Sequence, residues 1–195
     1  MILVLDLDRT LNLLYPPWIR SIRDLVPPAL ASRGSYEMWE WIAAHVVENN
    51  YPVHEAAVPV IRTLSAQASR VIVNTGRPEK ARCATEGWLH NYFKVDQLLM
   101  RAEGDFRRTV EIKREHLIMD ILPSCPGEVI YAFDDNREAV RMYQDNGAIA
   151  LVAPECWIAA ASVATSQYDL LKLLHDLHEA AQASVNRACM TVSGN

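Results

Sequence analysis

Two pairs of carboxylates each follow an apolar run directly. Asp6 and Asp8 come after the run 2–5, and Asp134 and Asp135 come after the run 129–133. Carboxylates this close concentrate negative charge, which is costly unless cations neutralise it, and Mg²⁺ is the hard cation that such oxygen ligands suit best. The pattern therefore predicts a divalent-cation site, although aspartates after a strand also occur as simple turn caps.

A hydroxyl and a cation lie between these acidic pairs in the chain. Thr75 stands at the tip of the apolar run 71–73, Gly76 permits a close backbone approach, and Pro78 suits the first turn of a helix. A helix N-terminus of this kind binds phosphate readily. Lys113 lies in the first turns of a predicted helix, where a single lysine is most often simply solvated.

The elements that must position these residues alternate along the chain. Short apolar runs that read as buried strands are separated by stretches with helical periodicity, which is typical of an α/β fold with a Rossmann-like, doubly wound and mostly parallel sheet. The predicted strands are 2–5, 71–73, 95–100, 129–133 and 148–152, and the predicted helices are 53–68, 79–92, 110–122, 138–146 and 168–183. Ligands of such sheets bind at the carboxyl ends of the strands, where the two acidic pairs and Thr75 fall.

Residues 12–52 differ from the rest and predict a small helical cap. Prolines occur in pairs at 16–17 and 27–28, and apolar residues recur at helical spacing over 18–26 and 36–47. The catalytic core would then comprise residues 1–11 and 53–195. Inserted after the first strand, the cap would lie over the catalytic edge, where it could exclude water and select the substrate.

Composition narrows the class of protein. The chain has 195 residues, half of them hydrophobic, and a formal net charge of −5. This balance argues against broad adhesion to nucleic acid or to anionic membranes, but not against a local basic cleft. Four scattered cysteines, without a CxxC pair, and the lack of a leader or a membrane span favour a reduced cytoplasmic protein.

The apolar stripe of 168–183 is expected to pack on the sheet or on a second subunit, as in a homodimer.

The order of these motifs resembles the haloacid dehalogenase (HAD) superfamily. The segment Asp6-x-Asp8-x-Thr10-Leu is similar to its motif I, and Thr75, Lys113 and the Asp134–Asp135 pair stand where motifs II, III and IV are expected. The resemblance implies a phosphatase that forms an aspartyl-phosphate.

The same resemblance implies a role for each of these residues. Asp6 would be the nucleophile, Asp8 the general acid and base, Thr75 a ligand of the phosphoryl oxygens, and Lys113 a counter-charge. The cofactor Mg²⁺ would be held by the Asp6 carboxylate, the Asp8 backbone carbonyl and the Asp135 carboxylate. Asp134 would support these ligands without binding the ion directly.

Within the superfamily, the chain looks most like the 3′-phosphatase domains of phage polynucleotide kinase-phosphatases. The shared spacing is carried by Arg101, Gly104, Asp105, Arg107 and Lys113, and by the Gly76-Arg77 pair. It implies that Thr10, Arg77 and Arg107 bind a substrate with a 3′-phosphate at a nucleic-acid end. The chain departs from this family at Arg9, which replaces a usual glycine, and at Thr75, which replaces a serine. It also has Pro16-Pro17 in place of a basic substrate contact, a role for which Arg20 or Arg23 is a candidate.

Two other functions stay open at this stage. The first is a phosphatase of free nucleotides or other small phosphorylated metabolites, which the net acidity mildly favours. The second is a non-catalytic binding protein on a HAD scaffold, since fold alone does not guarantee activity. Every motif position carries a catalytic residue type, which favours an enzyme.

Overall fold

A five-stranded, all-parallel sheet forms the centre of the molecule. The computed structural model describes residues 1–13, 26–31, 41 and 52–192. Its strands are β1 (Ile2–Leu5), β2 (Arg70–Pro78), β3 (Gln97–Arg101), β4 (Ile130–Asp134) and β5 (Ile149–Val152), in the spatial order β3-β2-β1-β4-β5. The strand order reverses on the two sides of β1, as in other doubly wound sheets, so the predicted fold class is confirmed.

Strand register brings the predicted site residues to one edge. Leu5, the last residue of β1, pairs with Val73 of β2 and Phe133 of β4. Because the three strands are parallel, the residues that follow these three positions emerge side by side at the same edge. Asp6, Thr75 and Asp134 all lie there.

Helices cover both faces of the sheet. They are α1 (Pro28–Ala31), α2 (Ala57–Ser65), α3 (Arg82–Tyr92), α4 (Thr109–His116), α5 (Leu122–Ser124), α6 (Arg137–Asp145), α7 (Glu155–Val163) and α8 (Gln167–Val192). Leu3 and Leu5 of β1 join a core with residues of α2, α3, α7 and α8, whereas Ile2 and Val4 join a second core with residues of α6 and the segment after α4. Alternate residues of one buried strand therefore serve two cores.

Strand β2 differs most from its prediction. It runs to Pro78 because Asn74 pairs with Leu99 and Pro78 pairs with Arg101 of β3, with an irregular register between the two pairs. A 3-10 turn begins at Glu79. Residues 75–78 are consequently strand rather than the first turn of a helix, and the predicted phosphate site at a helix N-terminus is wrong there.

Three helical segments also differ from the sequence-based expectation. The predicted helix 110–122 consists of α4, a π-helical turn over Leu117–Ile121 and α5. Helix α7 was not predicted, since its segment is apolar on all sides and shows no helical stripe. Helix α8 continues past residue 187, where fraying was expected, and its Leu170 and Leu174 are buried in the chain's own core.

The two ends of the predicted cap lie next to each other. Leu13 N donates to Pro52 O at 3.0 Å, and His54 N donates to Leu11 O at 2.7 Å. Val26 is buried in the core, and Trp41 is helical and packs against that core. Most of the two predicted cap helices, and with them Arg20 and Arg23, lies outside the described residues, so the cap and its bounds stay a prediction. No helix in the described part of the chain is both long and apolar enough to cross a membrane.

Candidate active site

A buried ion cluster at the carboxyl end of the sheet joins Asp6, Lys113 and Asp134. Lys113 Nζ lies 2.7 Å from Asp6 Oδ1 and 2.6 Å from Asp134 Oδ2. All three side chains are at most 6% exposed. The lysine that could have been a solvated helix residue therefore lies buried between two acids.

The turn after β1 fixes the position of Asp6. Asp6 N donates to Phe133 O at 2.9 Å, which continues the β1–β4 ladder by one residue. Thr10 Oγ1 donates to Asp6 Oδ2 at 3.0 Å, and Thr10 is fully buried. Thr10, which was predicted to bind substrate, is thus placed as a hydrogen-bond partner of Asp6.

A buried polar network holds the helix that carries Lys113. Asn74 Nδ2 donates to Lys113 O at 3.2 Å and to Tyr143 Oη at 2.8 Å, and Asn74 Oδ1 is 2.7 Å from His116 Nδ1. The sequence reading did not assign a role to Asn74. A polar residue that directly continues the apolar run 71–73 was the available signal, because a buried amide at a strand end needs partners.

Burial dominates the electrostatics of the cluster. It raises the pKa of Asp6 to about 7 although Lys113 acts in the opposite direction, and it likewise raises the pKa of Asp134. Burial alone would lower the pKa of Lys113, but the charges of Asp134 and Asp6 outweigh it and keep the lysine protonated. The cluster therefore has one firm cation between two carboxylates that are difficult to ionise together.

Asp6, Asp134 and Asp135 together fit a hard metal ion. Each offers a carboxylate oxygen, and these oxygens lie within 4.8 Å of one another. Asp134 already accepts hydrogen bonds at both oxygens, from Lys113 and from Asn136 N. Asp135 is more accessible, and burial together with the charge of Asp6 raises its pKa to about 6. An all-oxygen acidic donor set matches the preference of Mg²⁺.

Arg9 adds a cation at the rim of this group. Its Nη1 lies 3.1 Å from Asp135 Oδ2. Its φ of +67° places a residue that has a Cβ atom in the left-handed region, at a cost of about 1–2 kcal/mol that glycine avoids. The glycine that the family resemblance expected here thus has a physical explanation. By sequence alone, Arg9 is a departure from the family pattern without a predicted role.

Asp8 is held by Arg77 rather than by the ion cluster. Arg77 Nε donates to Asp8 Oδ2 at 2.8 Å, a second guanidinium nitrogen donates to Oδ1, and Asn12 Nδ2 donates to Oδ1 at 2.9 Å. Burial would raise the pKa of Asp8, but the charge and hydrogen bonds of Arg77, with help from Asn12, lower it. A further nitrogen of Arg77 donates to Thr85 Oγ1 at 3.2 Å, so the guanidinium is anchored on two sides.

Thr75 and Gly76 continue β2 next to Asp6. Thr75 is 1% exposed, and its Oγ1 accepts from Arg77 N at 3.3 Å. A Cβ built on Gly76 would lie 2.6 Å from Cγ2 of Thr109. The glycine therefore permits a close approach, as predicted, and the neighbour that approaches is the first residue of α4. This contact brings the helix of Lys113 against the strand of Thr75.

Residues 102–108 form a loop fixed by Arg101. The guanidinium of Arg101 donates to Gly76 O at 3.0 Å, to the carbonyls of Asp105 and Arg107, and to Thr109 Oγ1. Arg107, which was predicted to bind substrate, has a half-exposed side chain that pairs with Asp105 and Glu115. In the described part of the chain its ion pairs do not reach the Asp6 cluster.

A known protein family matches most of this chain in sequence. A sequence model of the family described as "Polynucleotide kinase PNKP phosphatase domain" matches residues 29–154, which is more than half of the chain. The match contains Thr75, Arg77, Lys113 and the Asp134–Asp135 pair. It begins after Asp6 and Asp8, but the contacts above join both of these residues to side chains inside the matched range.

Solved structures support the fold. A chain of a Pnkp1/Rnl/Hen1 complex superposes with a TM-score of 0.57 at 22% identity, over 78% of this chain and 45% of that chain. A chain of the Pnkp1/Rnl/Hen1 RNA repair complex gives a TM-score of 0.56 at 23% identity, over 78% and 42%.

The extent of these matches differs between the comparisons. The aligned region is less than half of each of these two solved chains. No curated protein sequence matches the chain. The family match rests on the sequence, and the likeness to solved structures rests on the parallel α/β fold. The chain belongs to the phosphatase-domain family of polynucleotide kinase-phosphatases, a family of phosphoric monoester hydrolases within the HAD superfamily.

Proposed function

We propose that this chain removes 3′-phosphate groups from nucleic-acid ends, as a Mg²⁺-dependent phosphatase with an aspartyl-phosphate intermediate. The observation that carries the proposal is the contact of Lys113 Nζ with both Asp6 and Asp134. It leaves an acidic nucleophile buried next to a fixed cation, at the sheet edge where ligands of parallel α/β proteins bind. Such an arrangement suits attack on an anionic phosphorus centre.

Asp6 performs the first bond change. An oxygen of its carboxylate attacks phosphorus, a new O–P bond forms, and the bond from phosphorus to the 3′ oxygen breaks. In the second step a water molecule attacks the phosphorus of the aspartyl-phosphate, and inorganic phosphate leaves with the carboxylate of Asp6 restored. Lys113 and the hydroxyl of Thr75 neutralise the equatorial oxygens in both steps.

Asp8 transfers the proton in both steps. It donates a proton to the departing 3′ oxygen and then accepts one from the attacking water. Its ion pair with Arg77 keeps the carboxylate ionised in the resting protein. When a phosphoryl group shares the guanidinium of Arg77, the hold on Asp8 weakens, so that Asp8 takes up a proton from solvent as the substrate binds and carries it to the departing 3′ oxygen. Arg77 thereby contributes both to substrate binding and to the protonation state of Asp8.

Mg²⁺ would be held by the carboxylates of Asp6 and Asp135 and by the backbone carbonyl of Asp8, with Asp134 supporting from behind. When bound, the ion supplies positive charge against the phosphoryl oxygens. Asp135 suits the ligand role better than Asp134, because both oxygens of Asp134 already have hydrogen-bond partners. Thr10 orients Asp6 from the opposite oxygen.

The nucleic-acid substrate is supported by the family match and by the structural likeness to a chain of an RNA repair complex. A net charge of −5 means that any contact with a polyanion must be local. The predicted cap and a homodimer through α8 are not needed for this chemistry.

A substrate panel tests the proposal. Phosphate release is measured with Mg²⁺ for a 3′-phosphorylated oligonucleotide, its 5′-phosphorylated isomer, and 3′- and 5′-mononucleotides, with DNA and RNA versions and an Asp6→Asn control. We expect the highest kcat/KM for the 3′-phosphorylated oligonucleotide, and a value that falls steeply with salt. Equal or higher kcat/KM for mononucleotides would favour the free-nucleotide phosphatase instead. Absence of turnover on every substrate would favour a binding protein.

A further inference from the structure

We propose that Arg9 forms a second phosphate subsite, which binds the phosphodiester adjoining the terminal phosphate and so distinguishes an oligonucleotide from a mononucleotide. The inference rests on the proposed function and adds a substrate-recognition residue to it. It starts from the backbone. Among the described non-glycine residues, Arg9 has a positive φ, at +67°, in a region where side chains are disfavoured. A glycine would adopt this turn without penalty, so the side chain needs a compensating contact.

The turn that carries Arg9 is tightly fixed. The amides of Thr10, Leu11 and Asn12 all donate to Leu7 O, at 2.9 to 3.3 Å. Arg9 N donates to Asn12 Oδ1 at 3.0 Å, and the same asparagine side chain donates to Asp8. The direction in which Arg9 leaves the backbone is therefore set by the same turn that sets Asp8.

Exposure increases outward from the nucleophile along this side of the site. The side chain of Lys113 is 3% exposed and that of Asp6 is 6% exposed, followed by 17% for Asp135 and 53% for Arg9. Arg9 thus lies at the rim, next to the acids that would receive the terminal phosphate. The proposal places the group attached to that phosphate at this rim.

Among the described residues, Asp135 is the ion-pair partner of the Arg9 guanidinium, which leaves donors for a second anion. One of its nitrogens, Nη1, contacts Asp135 at 3.1 Å, whereas a guanidinium carries five N–H donors in a planar fork. The fork matches the geometry of two phosphate oxygens. Asp135 keeps the group at the rim while its outer donors can bind a phosphodiester. A mononucleotide has no second phosphate at that position and would gain less from Arg9.

The test uses the ratio of two specificity constants. kcat/KM is measured for a 3′-phosphorylated dinucleotide and for the 3′-mononucleotide, in the wild-type protein, Arg9→Gly, Arg9→Lys and Arg62→Ala. Arg9→Gly removes the side chain at a backbone position that suits glycine, so folding is preserved. Arg62 is an exposed arginine in the last turn of α2, and α2 leads into the opposite end of the sheet. The Arg62→Ala variant is therefore the matched control for loss of one positive charge.

We expect Arg9→Gly to lower the dinucleotide-to-mononucleotide ratio by about tenfold or more, since a charge-assisted contact is lost for one substrate alone. Arg9→Lys should give an intermediate ratio, because it keeps the charge and loses the fork. Arg62→Ala should leave the ratio as in the wild type. An unchanged ratio in Arg9→Gly, or an equal drop in Arg62→Ala, would overturn the subsite.

Equilibrium binding separates this inference from the proposed function. Calorimetry in an Asp6→Asn background, with the same two ligands, measures the subsite without turnover. Arg9→Gly in that background should weaken dinucleotide binding about tenfold relative to mononucleotide binding. Failure of the wild-type protein to hydrolyse any 3′-phosphate would refute the proposed function, whereas an equal loss for both ligands in the binding experiment would refute the role of Arg9.

Discussion

Arg77 donates hydrogen bonds to both carboxylate oxygens of Asp8 and thereby connects the end of β2 with the turn after β1. Its Nε donates to Oδ2 at 2.8 Å, and a second nitrogen donates to Oδ1. The pair is the geometric link between the residue proposed to move the proton and a residue proposed to bind the phosphoryl group. In the resting protein it favours the ionised form of Asp8.

The first prediction separates the charge of Arg77 from its shape. Arg77→Gln should lower kcat/KM by on the order of 10²-fold or more, because a donor to the transition-state oxygens is lost. Arg77→Lys should be less severe, since it keeps the charge but not the two-pronged contact. Steady-state phosphate release measures both. Arg82→Gln, which removes surface ion pairs with Glu79 and Glu86, is the control and should retain near wild-type kcat/KM.

The second prediction concerns the nucleophile and the proton carrier. Asp6→Asn should abolish turnover with the fold intact, because an amide cannot form the aspartyl-phosphate. Asp8→Asn should slow turnover by on the order of 10²-fold or more, the usual contribution of general acid-base catalysis. Circular dichroism checks the fold and phosphate release checks activity. Asp145→Asn, at an exposed position of α6, is the charge-matched control. Substantial turnover by purified Asp6→Asn protein would contradict the mechanism.

The sequence was sufficient to predict the sheet and the acids at its edge, for a clear reason. Apolar runs such as 2–5 mark buried strands, and parallel strands must end at a common edge, so Asp6 and Asp134 had to converge. The structure confirms the parallel α/β fold. Lys113 could be placed only through the order of the motifs, because a helical lysine has no local feature that reveals burial.

Other contacts are long-range and leave no local pattern. The partners of Asn74, namely Lys113 O and Tyr143, are distant in sequence. Strand β2 extends to Pro78 because β3 is available for pairing, and nothing in residues 75–78 alone shows this. The ion pair between Arg9 and Asp135 likewise depends on the register of β1 with β4. Pairing and burial decide these features, and local sequence does not record either.

The third prediction concerns stability and pH. Lys113→Met leaves Asp6 and Asp134 buried without their cation, which should cost about 3–5 kcal/mol at neutral pH. The pKa of Asp6 is already raised by burial to about 7, and loss of Lys113 raises it further. The folded variant therefore binds protons more tightly than the unfolded chain, so its stability falls as pH rises above about 4.

Urea unfolding at several pH values measures this effect. The stability difference between the wild-type protein and Lys113→Met should increase from about pH 7 upward, because there the wild-type Asp6 ionises next to Lys113 while the variant keeps its proton, and it should be smaller and nearly constant below that pH. Lys113→Arg keeps the charge and should lose less. A difference that is independent of pH would mean that packing of the lysine stem, rather than its charge, stabilises the cluster.

The fourth prediction couples Mg²⁺ to protons. Burial raises the pKa of Asp6 to about 7 and that of Asp135 to about 6, so both side chains are protonated at about pH 5. A metal ion needs the ionised forms, and its affinity should therefore increase as pH rises from about 5 to 8. Calorimetry in two buffers with different ionisation enthalpies counts the protons released. The thermal midpoint should rise more on adding Mg²⁺ at pH 8 than at pH 5.5, and Asp135→Asn should reduce that rise.

The last prediction concerns the contact between β2 and the start of α4. A Cβ on Gly76 would lie 2.6 Å from Cγ2 and 2.9 Å from Oγ1 of Thr109, so Gly76→Ala must displace that side chain. Overpacking of this kind costs about 1–3 kcal/mol. The same threonine accepts a hydrogen bond from Arg101, so the strain should reach the loop 102–108 and the helix of Lys113.

Thr109→Ser removes Cγ2 and keeps the hydroxyl, and the Gly76→Ala/Thr109→Ser double variant should recover part of the stability and of kcat/KM. Gly87→Ala is the matched control, because no atom lies within 4 Å of the added Cβ in α3. Additive losses in the double-mutant cycle, measured by urea unfolding, would show that the two residues do not interact.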